Sequence, residues 1–385
     1  MIEEKPKPVL ANPFTTVRHL SQIVSHSVVP IPLSDWQGSG IKGIKDSVGL
    51  LGVALLCFAS ALGKQISLFA LLLLLVLPVF AQKDKTDTAP KGLLKIPVWV
   101  EEDDEQFWLG GNRQSFKVFV EEKELPVKSF QTPRSSTILL IVFDTVADLA
   151  RVDQARTALS ESLKTIGQNY WVGLLKAQDG LAVIQEPTAD RKLLDEKIQA
   201  IQVNGKAGLL DTLEQVSKLA AGMMQKANVR VAVLYVTDSG IANYRADYLN
   251  PVVNSSDSGD LSRRFTDRAI QEQMSHQADA LGKFTTPIFI LHLSYRTDSM
   301  NLAYQSGLER IAAASGGLTL FSRSSDDVEP LLKTLLTRIQ SSYLLGVDQP
   351  TAKRNAVKLR IEARKSDGQS PGKITHREQV RLPKN

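Results

Sequence analysis

TILLIVF (residues 137–143), followed at once by Asp144, and VRVAVLYVT (residues 229–237), followed by Asp238, are the two stretches from which the fold is read. Each is an apolar run of strand length, without the polar alternation of a half-solvated strand. That pattern belongs to a central parallel strand buried on both faces. Behind the first run, Ala155, Leu159 and Leu163 recur every four residues, in a helix expected over 151–166. Residues 170–175 and 181–185 read as short strands joined by a tight turn at Gln178, Asp179 and Gly180, hence as an antiparallel pair. Helices are expected over 191–201 and 209–224. Beyond Asp238 come a polar loop containing NSSDSG (254–259), a helix ending near Leu281, and a strand in PIFILHLSY (287–295). A helix over 302–314, a strand over 318–321 and a helix over 328–341 follow. Strands alternating with helices predict an α/β fold, a doubly wound and mostly parallel sheet covered on both faces.

The flanks read differently. Residues 96–100 are apolar and extended, SFKVFV (115–120) alternates, and LPVKSF (125–130) follows a polar turn at Glu122 and Lys123. Such a short β-unit cannot bury a core alone. YLLGV (343–347), AVKLRIEA (356–363) and the weaker REQVRL (377–382) are strand-like and can complete it. The expected division is an extension over 1–47, an apolar segment over 48–81 and a linker over 82–94. The small β-unit takes 95–133 and the α/β domain 136–342. The C-terminal strands, 343–383, pack with the β-unit.

The 385 residues carry a formal charge of +5, from 46 basic and 41 acidic side chains, with no long Lys/Arg block. A nucleic-acid partner is therefore not expected. The single cysteine, Cys57, lies in an apolar stretch, so the folded part has no disulfide, zinc-thiolate cluster or cysteine nucleophile. The fifteen residues 66–80 (ISLFALLLLLVLPVF), from Ile66 to Phe80, carry no charge and precede Ala81 and a polar KDKTD. A membrane span normally needs about 20 apolar residues, so this length suits a signal core cleaved near Ala81. The alternatives are an uncleaved membrane anchor through Ile66 to Phe80, alone or with the apolar run over 48–62, and a buried segment. A signal core more than 60 residues from Met1 is unusual, which suggests a translation start near Val48. The expected location is exported: periplasmic, envelope-associated or secreted.

Ligands of open α/β sheets bind beyond the carboxyl ends of the strands, where the strand order reverses. Asp144 and Asp238 end the two central strands, and Asp148 lies in the turn after the first. Buried carboxylates need satisfying, either by a hard cation such as magnesium or by N–H groups at helix starts.

The order of these elements resembles a von Willebrand factor A domain, and most closely an exported group of related proteins common in Acidobacteria. QSFKVFVEEKELPVKSF (114–130) is similar to that group's leading β-segment, and SSYLLGV (341–347) to its ending. The resemblance spans about 92–383 and is spread over diffuse segments. It implies a metal-ion-dependent adhesion site built from a D-x-S-x-S turn, a threonine and an aspartate. Here the turn is Asp144-Thr145-Val146-Ala147-Asp148, the threonine's place is taken by Ala207 in KAGLLDTL (206–213), and Asp238 stands in TDSG. Two carboxylates carry over, hydroxyls are lost at Val146, Asp148 and Ala207, and one carboxylate is gained. The resemblance thus implies a degenerate site. Asp144, Asp148 and Asp238 are its candidate metal ligands, with no cofactor or a weakly bound magnesium. A three-aspartate site would neutralise a cation more fully and attract an external carboxylate less. Lys206 could pair with the cluster instead.

Asp211 is expected to help a helix start, His292 to be a packed or hydrogen-bonded core residue, and His276 to lie on a helix surface. Trp108 is expected between the β-unit and the main domain, or exposed as a contact. No HExxH, GxSxG, phosphate loop or CxxC occurs. The expected function is a non-enzymatic protein-interaction or adhesion module with a protein partner. The alternatives are a metal-assisted hydrolase using the three aspartates and a structural envelope protein.

Overall fold

The computed structural model describes residues 92–102, 106–244, 261–350 and 356–382, and of 261–266 the backbone alone. The apolar segments and the expected cleavage and start positions lie outside the described residues.

The central sheet contains β5 (Thr137–Asp144), β6 (Tyr170–Lys176), β7 (Ala182–Thr188), β8 (Arg230–Thr237), β9 (Ile288–His292) and β10 (Thr319–Phe321), in the order β10-β9-β8-β5-β6-β7. All pairings are parallel except β6–β7. The turn joining those two places Asp179 at φ 56° and Gly180 at φ 105°, the left-handed geometry of a tight hairpin. The chain steps outward from β5 in one direction and from β8 in the other, so the strand order reverses between them.

Every residue of β5, β8 and β9 is buried. Alternation sends Leu139, Ile141, Phe143, Leu234 and Phe289 to one face. There they meet α1 (Leu149–Thr165), α2 (Arg191–Gln199) and α6 (Val328–Gln340). Leu140, Val142, Val233, Tyr235 and Ile290 face the other side. They pack on α3 (Leu209–Lys226), α4 (Leu261–Leu281) and α5 (Ser299–Ser315). The doubly wound α/β sheet expected from the sequence is therefore present.

The flanking strands form a two-sheet sandwich. One sheet has the order β13-β1-β11-β4 and the other β14-β12-β2-β3. The N-terminal part supplies β1 (Leu93–Glu101), β2 (Phe116–Val120), β3 (Lys123–Leu125) and β4 (Val127–Gln131). The C-terminal part supplies β11 (Tyr343–Asp348), β12 (Ala356–Ala363), β13 (Lys373–His376) and β14 (Gln379–Arg381). Every sheet of the sandwich mixes the two ends of the chain, as the shortness of each half required.

Strand β1 is buried on both sides. Leu94, Ile96, Val98 and Val100 enter the sandwich core. Trp99 faces the α/β domain, where its ring meets Phe289 edge-on at 6.1 Å and its Nε1–H donates to the Arg338 carbonyl at 2.6 Å. Buried cations complete this joint by donating to carbonyls at helix C-termini, which have no intrahelical partner and carry the negative end of the macrodipole. Lys95 donates to the Met224 and Ala227 carbonyls at the end of α3. Arg230 donates to the Gln340 and Ser342 carbonyls after α6, and to Pro133 O at 2.6 Å. Arg377 donates to the Gly282 and Phe284 carbonyls after α4. Burial lowers the pKa of all three, that of Arg377 to about 10.

Two expectations are corrected. Trp108 packs within the sandwich, near Phe116 and Tyr343, and its carbonyl accepts from the Tyr343 hydroxyl at 2.8 Å. The aromatic residues that reach the α/β domain from this part of the chain are Trp99 and, beside it under Arg338, Phe107. Secondly, among the described residues no helix is long and apolar enough to cross a membrane. The membrane anchor expected through Ile66 to Phe80 falls outside the described residues, and a membrane partner is withdrawn.

Truncation of Trp99 to alanine removes both the packing and the indole hydrogen bond. The expected cost is about 3–5 kcal/mol, read as a lower urea midpoint with an unchanged far-UV spectrum at zero denaturant.

Candidate functional site

The carboxyl ends of β5 and β8 meet where the strand order reverses. Asp144 pairs with Thr237 across the two strands, and Asp238 follows directly. Period-two alternation then divides the TDS sequence between two tasks. Thr237 and Ser239 turn one way and donate from their hydroxyls to Asp144 Oδ2, at 3.0 and 2.7 Å. Asp238 turns the other way, to the start of α1. Its Oδ1 accepts from Val146 N–H at 2.7 Å, and its Oδ2 from Ala147 and Asp148 N–H at 2.9 and 2.6 Å.

Asp144 is fully enclosed. Its Oδ1 accepts from Gly208 N–H at 2.8 Å, and Tyr244 donates to Oδ2 at 3.4 Å. Burial raises its pKa and the Asp238 charge adds to this, against the lowering effect of the Gly208, Ser239 and Thr237 hydrogen bonds. Gly208 is required here. A Cβ on it would lie 1.9 Å from the Ala177 carbonyl oxygen, so any side chain would push away the N–H that holds Asp144. The preceding Ala207 is buried at the threonine position of the resemblance.

Asp148 behaves as a helix cap. Its Oδ1 accepts from Arg151 N–H at 3.1 Å and its Oδ2 faces Arg151 Nε at 3.2 Å. The structure therefore brings Asp144 and Asp238 side by side and commits the Asp148 carboxylate to Arg151. Among the described residues, no group of three His, Cys, Asp or Glu side chains is placed to hold a metal ion. Lys206 makes no ion pair with these carboxylates; its backbone N–H donates to Asp179 Oδ1 at 3.0 Å.

His292 ends β9 beside Thr237. Its Nε2 lies 2.7 Å from the Ser239 carbonyl, so Nε2 carries the proton, and Nδ1 accepts from Ser294 N–H at 3.2 Å. Burial pushes its pKa down to about 4. It is a hydrogen-bonded core residue, as expected, and it fixes the loop that carries Ser239. Asp211 lies in the first turn of α3, and His276 is exposed on α4. Gln178, which the sequence marked only as part of a turn, is buried and donates to the Thr145 carbonyl and hydroxyl at 2.9 and 3.0 Å. The hydroxyls flanking Asp238 were visible in the sequence as a T-D-S alternation at a strand end. No comparable signal marks Gly208 or Gln178.

The loops above this network are partly apolar. Of the four large hydrophobic side chains exposed among the described residues, Leu149 opens α1, Tyr295 follows β9 and Leu302 lies in the first turn of α5. All three are therefore at the carboxyl end of the sheet. Leu149 is 57% exposed. The Arg323 guanidinium lies 5.1 Å from the Tyr295 ring centre.

No protein-family model and no curated protein matches the chain. Among solved structures it is similar to the conserved hypothetical protein BatB from Bacteroides thetaiotaomicron, at 11% identity over 53% of this chain and 98% of that one, with a TM-score of 0.33. It is similar to a von Willebrand factor type A protein from Catenulispora acidiphila, at 11% identity over 69% and 72%, with a TM-score of 0.35. It is also similar to the PilB minor pilin from Streptococcus sanguinis, at 15% identity over 54% and 62%, with a TM-score of 0.38. The doubly wound α/β architecture rests on the strand order and register described above.

Two outcomes follow from the network. Replacing Asp238 with alanine leaves three adjacent N–H groups without their charged acceptor, at an expected cost of about 3–5 kcal/mol, measurable by urea denaturation. His292 has a folded pKa of about 4, below its unfolded value of about 6.5. Its contribution is therefore fully present above pH 6.5 and is lost as pH falls towards 4, by up to about 3 kcal/mol. Asp144, whose folded pKa is raised, works in the opposite sense on acidification. The urea midpoint of His292→Gln should fall less steeply than that of the parent over this window.

Proposed function

We propose that this chain is a non-enzymatic protein-binding module whose contact surface is the loop face at the carboxyl ends of the central strands. The observation that carries this reading is that both central carboxylates are satisfied by the protein's own donors, beneath a surface bearing Leu149, Tyr295 and Leu302. Exposed apolar side chains gathered at one end of a fold fit a protein contact better than a reaction centre. The α/β domain, 136–342, would present this surface. The sandwich of 95–133 and 343–383 would brace the opposite end.

In this reading the adhesion-type metal site is degenerate. Asp238 takes up the N–H groups of the turn leading into α1, so Asp144, Asp148 and Asp238 bind magnesium weakly or not at all. The kinship with the exported group common in Acidobacteria, and a location in the periplasm or envelope, belong to the same proposal. They are supported by the segments quoted above and by the signal-like residues 66–80. The hydrolase alternative gains no support, since the hydroxyls that reach Asp144, those of Thr237 and Ser239, are fully buried with it and out of reach of a substrate.

Calorimetry with magnesium chloride should give no saturable heat; tight binding abolished by Asp144→Asn would count against a degenerate site. An envelope-fraction protein retained on the immobilised chain should be lost with Leu149→Glu/Leu302→Glu. Retention unchanged by that pair, in a variant with parental stability, would place the contact elsewhere.

A further inference from the structure

The loops after β9 and β10 bring an exposed tyrosine and two exposed arginines to the carboxyl end of the sheet: Tyr295, Arg296 and Arg323. Their backbone is firmly placed. The buried Gln305 of α5 pairs with Arg296 in both directions. Its Oε1 accepts from Arg296 N–H at 2.9 Å and its Nε2 donates to the Arg296 carbonyl at 2.8 Å. Arg323 N–H donates to Asp327 Oδ2 at 3.0 Å. The Tyr295 ring meets Phe321 edge-on at 5.9 Å, and Phe321 packs on the buried His292 at 5.5 Å. The Arg323 guanidinium caps this column, 5.1 Å from the Tyr295 ring centre. A surface side chain seated on core packing in this way has little order left to lose when a partner fixes it.

The Arg296 guanidinium lies at the mouth itself. The position of a Cβ on Gly240 is 3.6 Å from its Cζ and Nε, which sets the cation over the loop that carries Ser239. The acids around the two arginines are turned to other tasks. Asp298 caps α5, accepting from Asn301 N–H and Nδ2 at 3.1 and 2.7 Å. Asp327 accepts from the Arg323 and Ser324 N–H groups, and Asp148 pairs with Arg151. Asp326 is exposed and makes no ion pair with Arg323. Among the described residues, neither the Arg296 nor the Arg323 guanidinium lies within ion-pair distance of a carboxylate. The Tyr295 hydroxyl has no hydrogen-bond partner there either.

We infer that this part of the loop face receives carboxylates from an acidic, partly apolar segment of the partner protein, bound by Arg296 and Arg323 beside Tyr295. The inference rests on the reading of the loop face as a protein contact, and names what the partner presents there. A planar guanidinium matches a carboxylate through two parallel N–H···O bonds. Tyrosine and arginine are enriched at the energetic centre of protein contacts. Leu149 and Leu302 supply exposed apolar surface at the same end of the sheet. The partner's charge is met by cations of the chain itself, and no bound metal takes part.

The test uses the full chain and a fluorescein-labelled peptide of alternating glutamate and leucine, followed by anisotropy at low salt. Saturable binding is expected, about tenfold tighter than that of the glutamine counterpart and unchanged by EDTA. Arg296→Gln/Arg323→Gln should weaken it about tenfold at the parental melting temperature, because both side chains are exposed and bound to no acid. Tyr295→Ala should weaken it as well. Absence of saturable binding, or equal binding of the glutamine peptide, would overturn the inference. Loss in EDTA with recovery in magnesium would also overturn it, by assigning the carboxylate to a metal. So would equal weakening by Lys117→Gln/Lys128→Gln on the sandwich, which would reveal attraction to net charge alone. Retention of the envelope-fraction protein separates this inference from the reading beneath it. Retention lost with Leu149→Glu/Leu302→Glu but unchanged in Arg296→Gln/Arg323→Gln keeps the loop face and rejects the arginines; retention unchanged in both pairs rejects the loop face itself.

Discussion

The Asp238 carboxylate, held by three consecutive N–H groups at the entry to α1, is the constraint on which the carboxyl end of the sheet depends. Of these donors only Asp148, the N-cap, belongs to the helix terminus; Val146 and Ala147 lie in the turn that leads into it, and the carboxylate sits near the positive end of the α1 macrodipole. It also fixes the turn after β5 to the end of β8, across the point where the strand order reverses. Asp144 is then free to point into the sheet end, where Thr237, Ser239 and Gly208 surround it.

The same electrostatic logic operates at the other end with the sign reversed. There the helices present carbonyls, and Lys95, Arg230 and Arg377 donate to them. Anion at a helix start and cations at helix ends are the favourable pairings. Here they join separate elements: strand to helix at the top, sandwich to α/β domain at the base. Burying such charges is costly, as the lowered pKa values of the three cations show. The cost is met because each charge satisfies several backbone groups that would otherwise be buried and unpaired.

The central strands were legible because burial on both faces leaves an unmistakable apolar run, as in residues 137–143 and 229–237. The helices were legible from their four-residue spacing, and the β6–β7 hairpin from Asp179 and Gly180. The dependence of residues 96–130 on the C-terminal strands was legible because neither half had enough apolar surface alone. The sequence was less informative about Trp99 and Trp108. Both are aromatic residues in a β-rich stretch, and only the register of β1 sends Trp99 towards Phe289 while Trp108 stays among Phe116 and Tyr343.

By itself the sequence determined the class of fold and the mouth of the sheet as the position of Asp144 and Asp238. Only the tertiary structure decided what the carboxylates do. Side chains one residue apart on a strand point to opposite sides, and what each meets depends on segments more than sixty positions away. Asp144 meets Gly208 and Ser239; Asp238 meets the turn at Val146 to Asp148; Asp148 returns to its own helix at Arg151. Spacing along the chain made the three aspartates candidates for one cluster, whereas the direction of each side chain separated them into three different tasks.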